Sequence, residues 1–304
     1  MAAIASKIHA IIVAIDRYED YDVPFDRAIQ DANAMREFLL NLGVHKENIQ
    51  TFERAELATK QEIMKKVASL KENANRGDPI IFYYSGFMGT TKVGERGAGM
   101  ICPYDVLSHK GGISDTALVQ MFDELALFCG NNIVSYVIPI ETEQIHQPPL
   151  QSVFLDCPIQ KFDFGNPSSC IIMGPDRSAN TGAKGAFTQA MIKVLSDIHD
   201  KSLDYMTVQS FSVHVQASIQ ASMQARYDEI FCRSFFLYET HESSIINIRC
   251  AGSNVDCPLF NLTAEKGHYA LVTVKPTSTG EFCSTQARRM AFARAPYTEF
   301  TTPI

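Results

Sequence analysis

Several features that commonly point to a function are missing from this sequence. No run of about 18 apolar residues is present, so no transmembrane helix is expected. The net charge is −7 and Lys and Arg form no cluster, so nucleic acid is not the expected partner. The first residues lack the charged and apolar regions of a secretory signal. We therefore expect a soluble, cytoplasmic protein that binds neither nucleic acid nor a membrane.

Common cofactor and metal motifs are also absent. The eight cysteines include no CxxC pair, so a zinc ribbon has no support. The glycines form neither a GxGxxG motif nor a phosphate-binding loop that ends in GK[ST]. No clear acidic cluster indicates a calcium site, and calcium dependence stays open. We expect no cofactor, no metal, and cysteines that are reduced and buried, because the chain shows no secretion signal.

The composition is that of a globular protein with a sizeable core, since 46% of the residues are hydrophobic and 20% are charged. Apolar runs typical of buried strands alternate with segments of helical periodicity. This alternation predicts an α/β fold with a mainly parallel, six-stranded sheet and helices on both faces. The predicted strands are His9–Ile15, Asn48–Phe52, Pro79–Tyr84, Ser152–Cys157, Cys170–Met173 and Ile230–Tyr238, and the predicted helices are Asp26–Leu42, two helices capped by Thr59 and Ser114, Phe187–Leu195 and Val208–Met223.

The chain divides into two predicted parts. Residues 1–238 form the α/β domain, and residues 239–304 form a small β-rich extension, because short strand-like runs alternate there with Gly, Asn and Pro. Within the domain, Val134–Gln151 separates Asn131–Ile133 from the predicted fourth strand and contains three prolines. This segment is either a true insertion that forms a surface loop near the active edge, or a retained intron. The second alternative is considered because its first residues, Val-Ser, and its last residue, Gln, can be encoded by splice-site consensus triplets.

Three segments carry polar residues near predicted strand ends. The first helix contains Ala28-Ile-Gln-Asp31-Ala, the third strand ends in Tyr84-Ser85-Gly86-Phe87, and the fourth ends in Asp156-Cys157-Pro158. Parallel sheets bind ligands at the carboxyl ends of their strands. In order and spacing these motifs resemble the caspase-like clan, in particular the metacaspase branch of peptidase family C14, with its patterns NDA, YSGHG and DxCHSG. The resemblance spans about residues 8–238 and implies the caspase-like (caspase/hemoglobinase) three-layer sandwich.

The two catalytic positions that the resemblance implies are both substituted. Phe87 stands where the family has its catalytic histidine, and Pro158 stands where the family has its nucleophilic cysteine. A phenyl ring transfers no proton and proline offers no nucleophile, and loss of such a catalytic unit costs about 10⁶ in rate. Cys157 is the only nearby thiol, but it comes one residue too early and its side chain should point to the opposite face of the strand.

The resemblance implies that substrate-binding residues are retained. In metacaspases, two aspartates and a serine form the pocket for a basic side chain, and the matching positions here are Asp31, Asp156 and Ser85. Two neighbouring carboxylates suit the positive charge of Arg or Lys. Only Ile159–Ser169 separates the nucleophile position from the predicted fifth strand, which leaves little room for the longer loop in which family members are processed.

We therefore expect a caspase-like pseudoprotease that is catalytically inactive. It would act by binding basic peptide segments or by heterodimerising with an active relative. The alternative is an active cysteine endopeptidase that cleaves after Arg or Lys with a displaced dyad involving Cys157. A third possibility is a mis-assembled gene, in which intact catalytic residues were lost near splice junctions.

Overall fold

The computed structural model describes residues 5–19, 26–90, 99–139, 170–173, 186–199, 207–233 and 249–251. The strands are β1 (His9–Ala14), β2 (Ile49–Thr51), β3 (Ile80–Gly86), β4 (Met88–Thr90), β5 (Gly99–Ile101), β6 (Ile113–Ser114), β7 (Ile133–Pro139), β8 (Cys170–Met173) and β9 (Arg249–Ala251). The helices are α1 (Asp26–Leu42), α2 (Lys60–Asn73), α3 (Asp115–Cys129), α4 (Ala186–His199) and α5 (Val208–Arg233).

One sheet organises the fold, with strand order β2-β1-β3-β7-β8-β9. The first five strands in this order run parallel, and β9 pairs antiparallel with β8. A second, small antiparallel sheet is formed by β4, β5 and β6. The predicted α/β fold with a mainly parallel sheet is confirmed.

Helices cover both faces of the sheet and divide the interior into two cores. On one face, α2 and α3 pack against β1, β3 and β7 through Val67, Leu70 and Phe122. On the other face, α1, α4 and α5 pack against the same strands through Met35, Met191 and Phe211. The central strands are therefore buried on both sides, as expected for parallel strands with helical crossovers.

Helices α2 and α3 begin directly after their predicted capping residues, Thr59 and Ser114. The Thr59 hydroxyl accepts a hydrogen bond from the Glu62 amide at 3.3 Å, and the Ser114 hydroxyl accepts one from the Ala117 amide at 3.2 Å. Each cap satisfies an amide that has no partner within the first helical turn. The α1 helix spans the predicted residues Asp26–Leu42 and is followed by Gly43 with φ +97°, a conformation that favours glycine.

The strand beside β3 is not the predicted one. The expectation of a surface loop over Val134–Gln151 is wrong for residues 134–139, because β7 lies in the middle of the sheet and pairs with all of β3. The reason lies in the residues themselves, since Ile133-Val-Ser-Tyr-Val-Ile is rich in the β-branched and aromatic residues that favour buried strands. Residues 140–151 and the predicted strand Ser152–Cys157 lie outside the described residues.

The predicted strand Ile230–Tyr238 is wrong over its first four residues, since α5 continues through Arg233. A short apolar run does not by itself distinguish a strand from a helix, and no Gly or Pro interrupts the chain between Val208 and Arg233. The sixth position of the sheet is taken by β9 instead. This strand belongs to the stretch that the sequence assigns to the extension.

Candidate functional site

The candidate site lies at the carboxyl edge of the sheet, where β1, β3 and β7 end side by side. Ala14 pairs with Ser85, and Ser85 pairs with Ile138. Because side chains alternate along a strand, Tyr83 and Ser85 face α1 and α4, whereas Tyr84 faces α2 and α3. The end of β3 therefore presents different chemistry to the two faces.

Phe87, the residue in the predicted histidine position, is fully buried. Its exposed fraction is 0%, and its ring stacks on Tyr18 with centroids 4.7 Å apart and planes 3° from parallel. The Phe87 amide donates a hydrogen bond to the Tyr18 hydroxyl at 2.6 Å. Phe87 is thus held through both its ring and its backbone, and it is a core residue in this structure.

The Tyr84 hydroxyl ties the surrounding backbone together. It lies 2.6 Å from the Phe87 carbonyl and 2.9 Å from the Cys102 carbonyl, and it accepts from the Cys102 amide at 3.1 Å. Gly86 passes close above these rings, because a Cβ there would lie 2.6 Å from the Tyr84 hydroxyl and 2.9 Å from the Tyr18 hydroxyl. This face is closed by stacked rings and short hydrogen bonds.

The two phenols on this face remain protonated near neutral pH. Burial raises the pKa of Tyr18 and of Tyr84 well above the ordinary value of 10.0, and the Phe87 amide only partly offsets this for Tyr18. A phenol with a raised pKa is a poor general base at pH 7. The residues around Phe87 therefore do not replace the proton-transfer group that the position lacks.

The other face of β3 carries a buried polar cluster. Asp31 is 6% exposed, and its carboxylate lies 3.4 Å from the Nε of Arg27, one helical turn earlier. Thr188, at the start of α4, helps to lower the pKa of the Asp31 carboxyl, and its hydroxyl lies 2.9 Å from the Tyr83 hydroxyl. Tyr83, Thr188 and Asp31 therefore form one polar cluster.

Burial governs the ionisation of this cluster. Desolvation raises the pKa of Asp31 from 3.8, while Arg27 and the Thr188 hydrogen bond work in the opposite direction. Desolvation, followed by the nearby Asp31 charge, raises the pKa of Tyr83 far above 10.0. A buried carboxylate that stays charged needs a cation close by, and this face is built around such a carboxylate.

Ser85 joins the same cluster. Its hydroxyl is fully buried and makes no hydrogen bond of accepted geometry to the described residues, although it lies near enough to Tyr83 to help lower the pKa of that phenol. A buried hydroxyl without a good partner is costly unless something else satisfies it. The structure thus brings together two of the three predicted binding residues, Asp31 and Ser85.

The remaining predicted site residues, Asp156, Cys157 and Pro158, lie outside the described residues. The strand end beside Ser85 and Gly86, where the sequence analysis expects them, is occupied by Ile138 and Pro139 of β7. Sequence reasoning also missed the roles of Arg27 and Tyr83 in the cluster. Both could have been found, because Arg27 precedes Asp31 by four residues and Tyr83 shares a strand face with Ser85.

The described histidine and cysteine side chains offer no catalytic pair at this edge. His9 lies at the opposite end of β1 beside Asp78, at 3.8 Å, and burial lowers its pKa while Asp78 partly offsets that effect. The Cys102 and Cys129 thiols are buried and form no disulfide, as predicted. Burial, followed by the charge of Asp78, raises the pKa of Cys129, which makes it a poor nucleophile.

Within the part of the chain that the structure describes, no group of three or more His, Cys, Asp or Glu side chains is arranged to hold a metal ion. None of the described helices combines the length and apolarity needed to span a bilayer.

A comparison with protein families gives a match over residues 9–134, described as metacaspase, peptidase C14 domain. These residues resemble the metacaspase, peptidase C14 domain, and we refer to them as the metacaspase-type segment. The match covers less than half of the 304 residues and ends at the first residue of Val134–Gln151, the segment that the sequence analysis sets apart. The metacaspase-type segment includes Asp31, Ser85 and Phe87, so the resemblance stated from these motifs is confirmed.

Solved structures show similar folds at low sequence identity. Protein GSU0716 from Geobacter sulfurreducens has a TM-score of 0.51 and 15% identity, with 81% of this chain and 94% of that chain covered. Pro-sf-caspase-1 has a TM-score of 0.49 and 13% identity over 82% and 93%, and the Drosophila initiator caspase Dronc has 0.47 and 9% over 88% and 86%. At such identities a likeness concerns the fold alone. No curated protein matches the chain.

Proposed function

We propose that this caspase-like protein is catalytically inactive and acts by binding a basic peptide segment at the carboxyl edge of its sheet. The observation that carries the proposal is the state of Phe87, which is 0% exposed and stacked on Tyr18 at the position of the family's histidine. Cysteine-protease chemistry needs an imidazole that exchanges a proton with a thiol. A buried phenyl ring cannot take that part.

His9, the described histidine on the same sheet, does not substitute for Phe87. His9 enters β1 at the amino edge of the sheet, and Ile80, its partner on β3, is six residues before Gly86. At about 3.3 Å per residue, His9 is about 20 Å from the end of β3. A proton cannot pass directly over such a distance, because general acid–base catalysis requires contact at hydrogen-bond range.

The polar face of β3 supports binding of a cation. Asp31 supplies a buried carboxylate, and the Ser85 hydroxyl supplies a hydrogen-bonding group without a good partner. A guanidinium group presents several N–H donors in a fixed plane, so it can engage a carboxylate and a neighbouring hydroxyl together. The proposed ligand is an exposed Arg or Lys side chain of a protein partner. An active caspase-like relative could be such a partner, and the proposed location is the cytoplasm. Asp156, which the resemblance implies as a second carboxylate, would join this pocket only if its strand took the place of β7.

Proteolysis assays test the inactive state. We expect the purified full chain, with or without calcium, to release no more fluorophore from Arg- and Lys-containing peptides than its Cys157→Ala variant. We also expect that a peptide chloromethyl ketone leaves Cys157 unmodified, as measured by mass spectrometry. Cleavage that disappears in the variant, together with labelling of Cys157, would refute the proposal and establish the displaced-dyad endopeptidase.

A further inference from the structure

Arg27 occupies the carboxylate on which the proposed binding site depends. Its Nε lies 3.4 Å from the Asp31 carboxylate, and no other ion pair with Asp31 is present among the described residues. The Asp31 side chain is 8% exposed and the Arg27 side chain is 28% exposed. The cation therefore lies between the buried carboxylate and the solvent from which a ligand would approach.

The contact between the two side chains is loose. Strong charge-assisted hydrogen bonds have N···O distances of about 2.7–2.9 Å, whereas this pair is separated by 3.4 Å. The Nε is also a buried donor atom without a hydrogen bond of accepted geometry. A free guanidinium that meets the carboxylate in bidentate fashion would make the better contact.

The position of Arg27 on its helix also favours exchange. Arg27 is in the first turn of α1, next to the helix start at Asp26. The helix dipole places partial positive charge there, which disfavours a cation. The order with the basic residue before the acidic one at i and i+4 is the weaker of the two orders. Asp31 is thus the main interaction that holds the Arg27 guanidinium in place.

We propose that Arg27 is an internal competitor for the Asp31 carboxylate, so that a basic side chain of a partner binds only by displacing the Arg27 guanidinium. This inference rests on the proposed function and specifies how the same site is regulated. In the free protein, Arg27 neutralises a buried charge that would otherwise be unpaired. In the complex, the partner's cation takes over this role and Arg27 turns to the solvent.

Binding of a small arginine ligand to four forms of the full chain tests the inference. The probe is N-acetyl-arginine methylamide, with the uncharged citrulline analogue as the control ligand, and affinity is measured by titration calorimetry. We expect Arg27→Met to bind the arginine probe about threefold to tenfold more tightly than the wild type, which corresponds to the removal of a partly exposed ion pair. Asp31→Asn should abolish binding.

Arg36→Met is the matched control. It removes the same charge from the same helix, but Arg36 pairs with Glu37 at 2.8 Å rather than with Asp31. We expect its affinity for the probe to stay within twofold of the wild type. Thermal unfolding verifies that each variant is folded, and Arg27→Gln replaces Arg27→Met if the latter does not fold.

The outcomes separate this inference from the proposed function. Tighter binding by Arg27→Met but not by Arg36→Met supports the competitor role. Equal affinities of Arg27→Met and the wild type, together with loss of binding in Asp31→Asn, would overturn the competitor role and leave the proposed binding site intact. Binding that Asp31→Asn does not change, or no binding by any form, would overturn the proposed function itself.

Discussion

Tyr83 and Tyr84 are neighbours in sequence but belong to regions of opposite character. Tyr84 lies in the face that holds Tyr18, Phe87 and Cys102, where rings stack and hydroxyls bond to backbone. Tyr83 lies in the face that holds Asp31 and Ser85, where its hydroxyl bonds to Thr188. We refer to these as the closed face and the polar face of β3.

Under the proposed function, the two faces have separate roles. The closed face contains the position at which a protease of this type needs its histidine, and it is filled with apolar contacts. The polar face retains a buried carboxylate and an underused hydroxyl. Since the alternation of side chains places the two groups on opposite faces of the strand, the proposed binding by Asp31 does not depend on the residue at position 87.

The largest effect is expected from emptying the closed face. Phe87→Ala should lower the free energy of unfolding by about 3–5 kcal/mol, because it removes a fully buried ring and leaves a cavity. Phe128→Ala is the matched control, since that ring is 59% exposed. Urea unfolding monitored by circular dichroism measures both. A loss below about 1 kcal/mol at Phe87 would contradict the description of this face as packed core.

A smaller effect is expected from comparing the two tyrosines directly. Tyr84→Phe should cost about 1–3 kcal/mol, because buried carbonyls of Phe87 and Cys102 lose a donor. Tyr83→Phe should cost about 0.5–1.5 kcal/mol, since it removes only the contact with the Thr188 hydroxyl. The same urea titrations give both values. If Tyr83→Phe proves the more destabilising, the hydroxyl on the polar face contributes more to stability than the hydroxyl on the closed face, which contradicts this prediction.

A deletion tests which segment can serve as the strand beside β3. Removing residues 134–151 joins Ile133 to Ser152, so that Ser152–Cys157 would follow in the register of β7. Asp156 would then take the place of Ile138, opposite Ser85 on the polar face. We expect this deletion to lower the free energy of unfolding less than the control deletion below does, because Asp156 would lie beside the polar side chains of Ser85 and Tyr83.

A deletion of residues 134–152 is the control for this register. It shifts the strand by one residue and moves Asp156 to the place of Val137, in the apolar core beside α3. An unpaired carboxylate there should cost several kcal/mol. Equal stability of the two deletion variants in urea would show that Ser152–Cys157 does not replace β7.

Much of the fold follows from local sequence signals. The periodicity of Ile63, Val67 and Leu70 and the cap at Thr59 predict α2 correctly. The competition between two strand-like segments was not predictable in this way, because Ile133–Pro139 and Ser152–Cys157 both have the composition of a buried strand. Which of them pairs with β3 depends on connections and long-range contacts, which periodicity does not contain. The end of α5 was missed for a related reason, since its last apolar residues suit either structure.

For the candidate site, the motifs located Asp31 and Ser85, and strand alternation placed Ser85 on one face of the sheet. The burial of Phe87 could not be derived, because a residue after a strand end is usually exposed. Its burial depends on Tyr18 and Cys102, which lie 69 and 15 residues away in the sequence (87 − 18 and 102 − 87). The four-residue spacing of Arg27 and Asp31 predicts their contact, but the long distance between the two charged groups can be measured only in the structure.

The tight fit at Gly86 constrains how the protein can change over evolutionary time. A methyl group at this position would overlap the hydroxyls of both Tyr18 and Tyr84. Removing both hydroxyls would not make room for an alanine, because the Cζ of the ring at position 84 would still lie 2.9 Å from the added methyl group, and each removal sacrifices hydrogen bonds to the backbone. A single-step path away from glycine is therefore blocked.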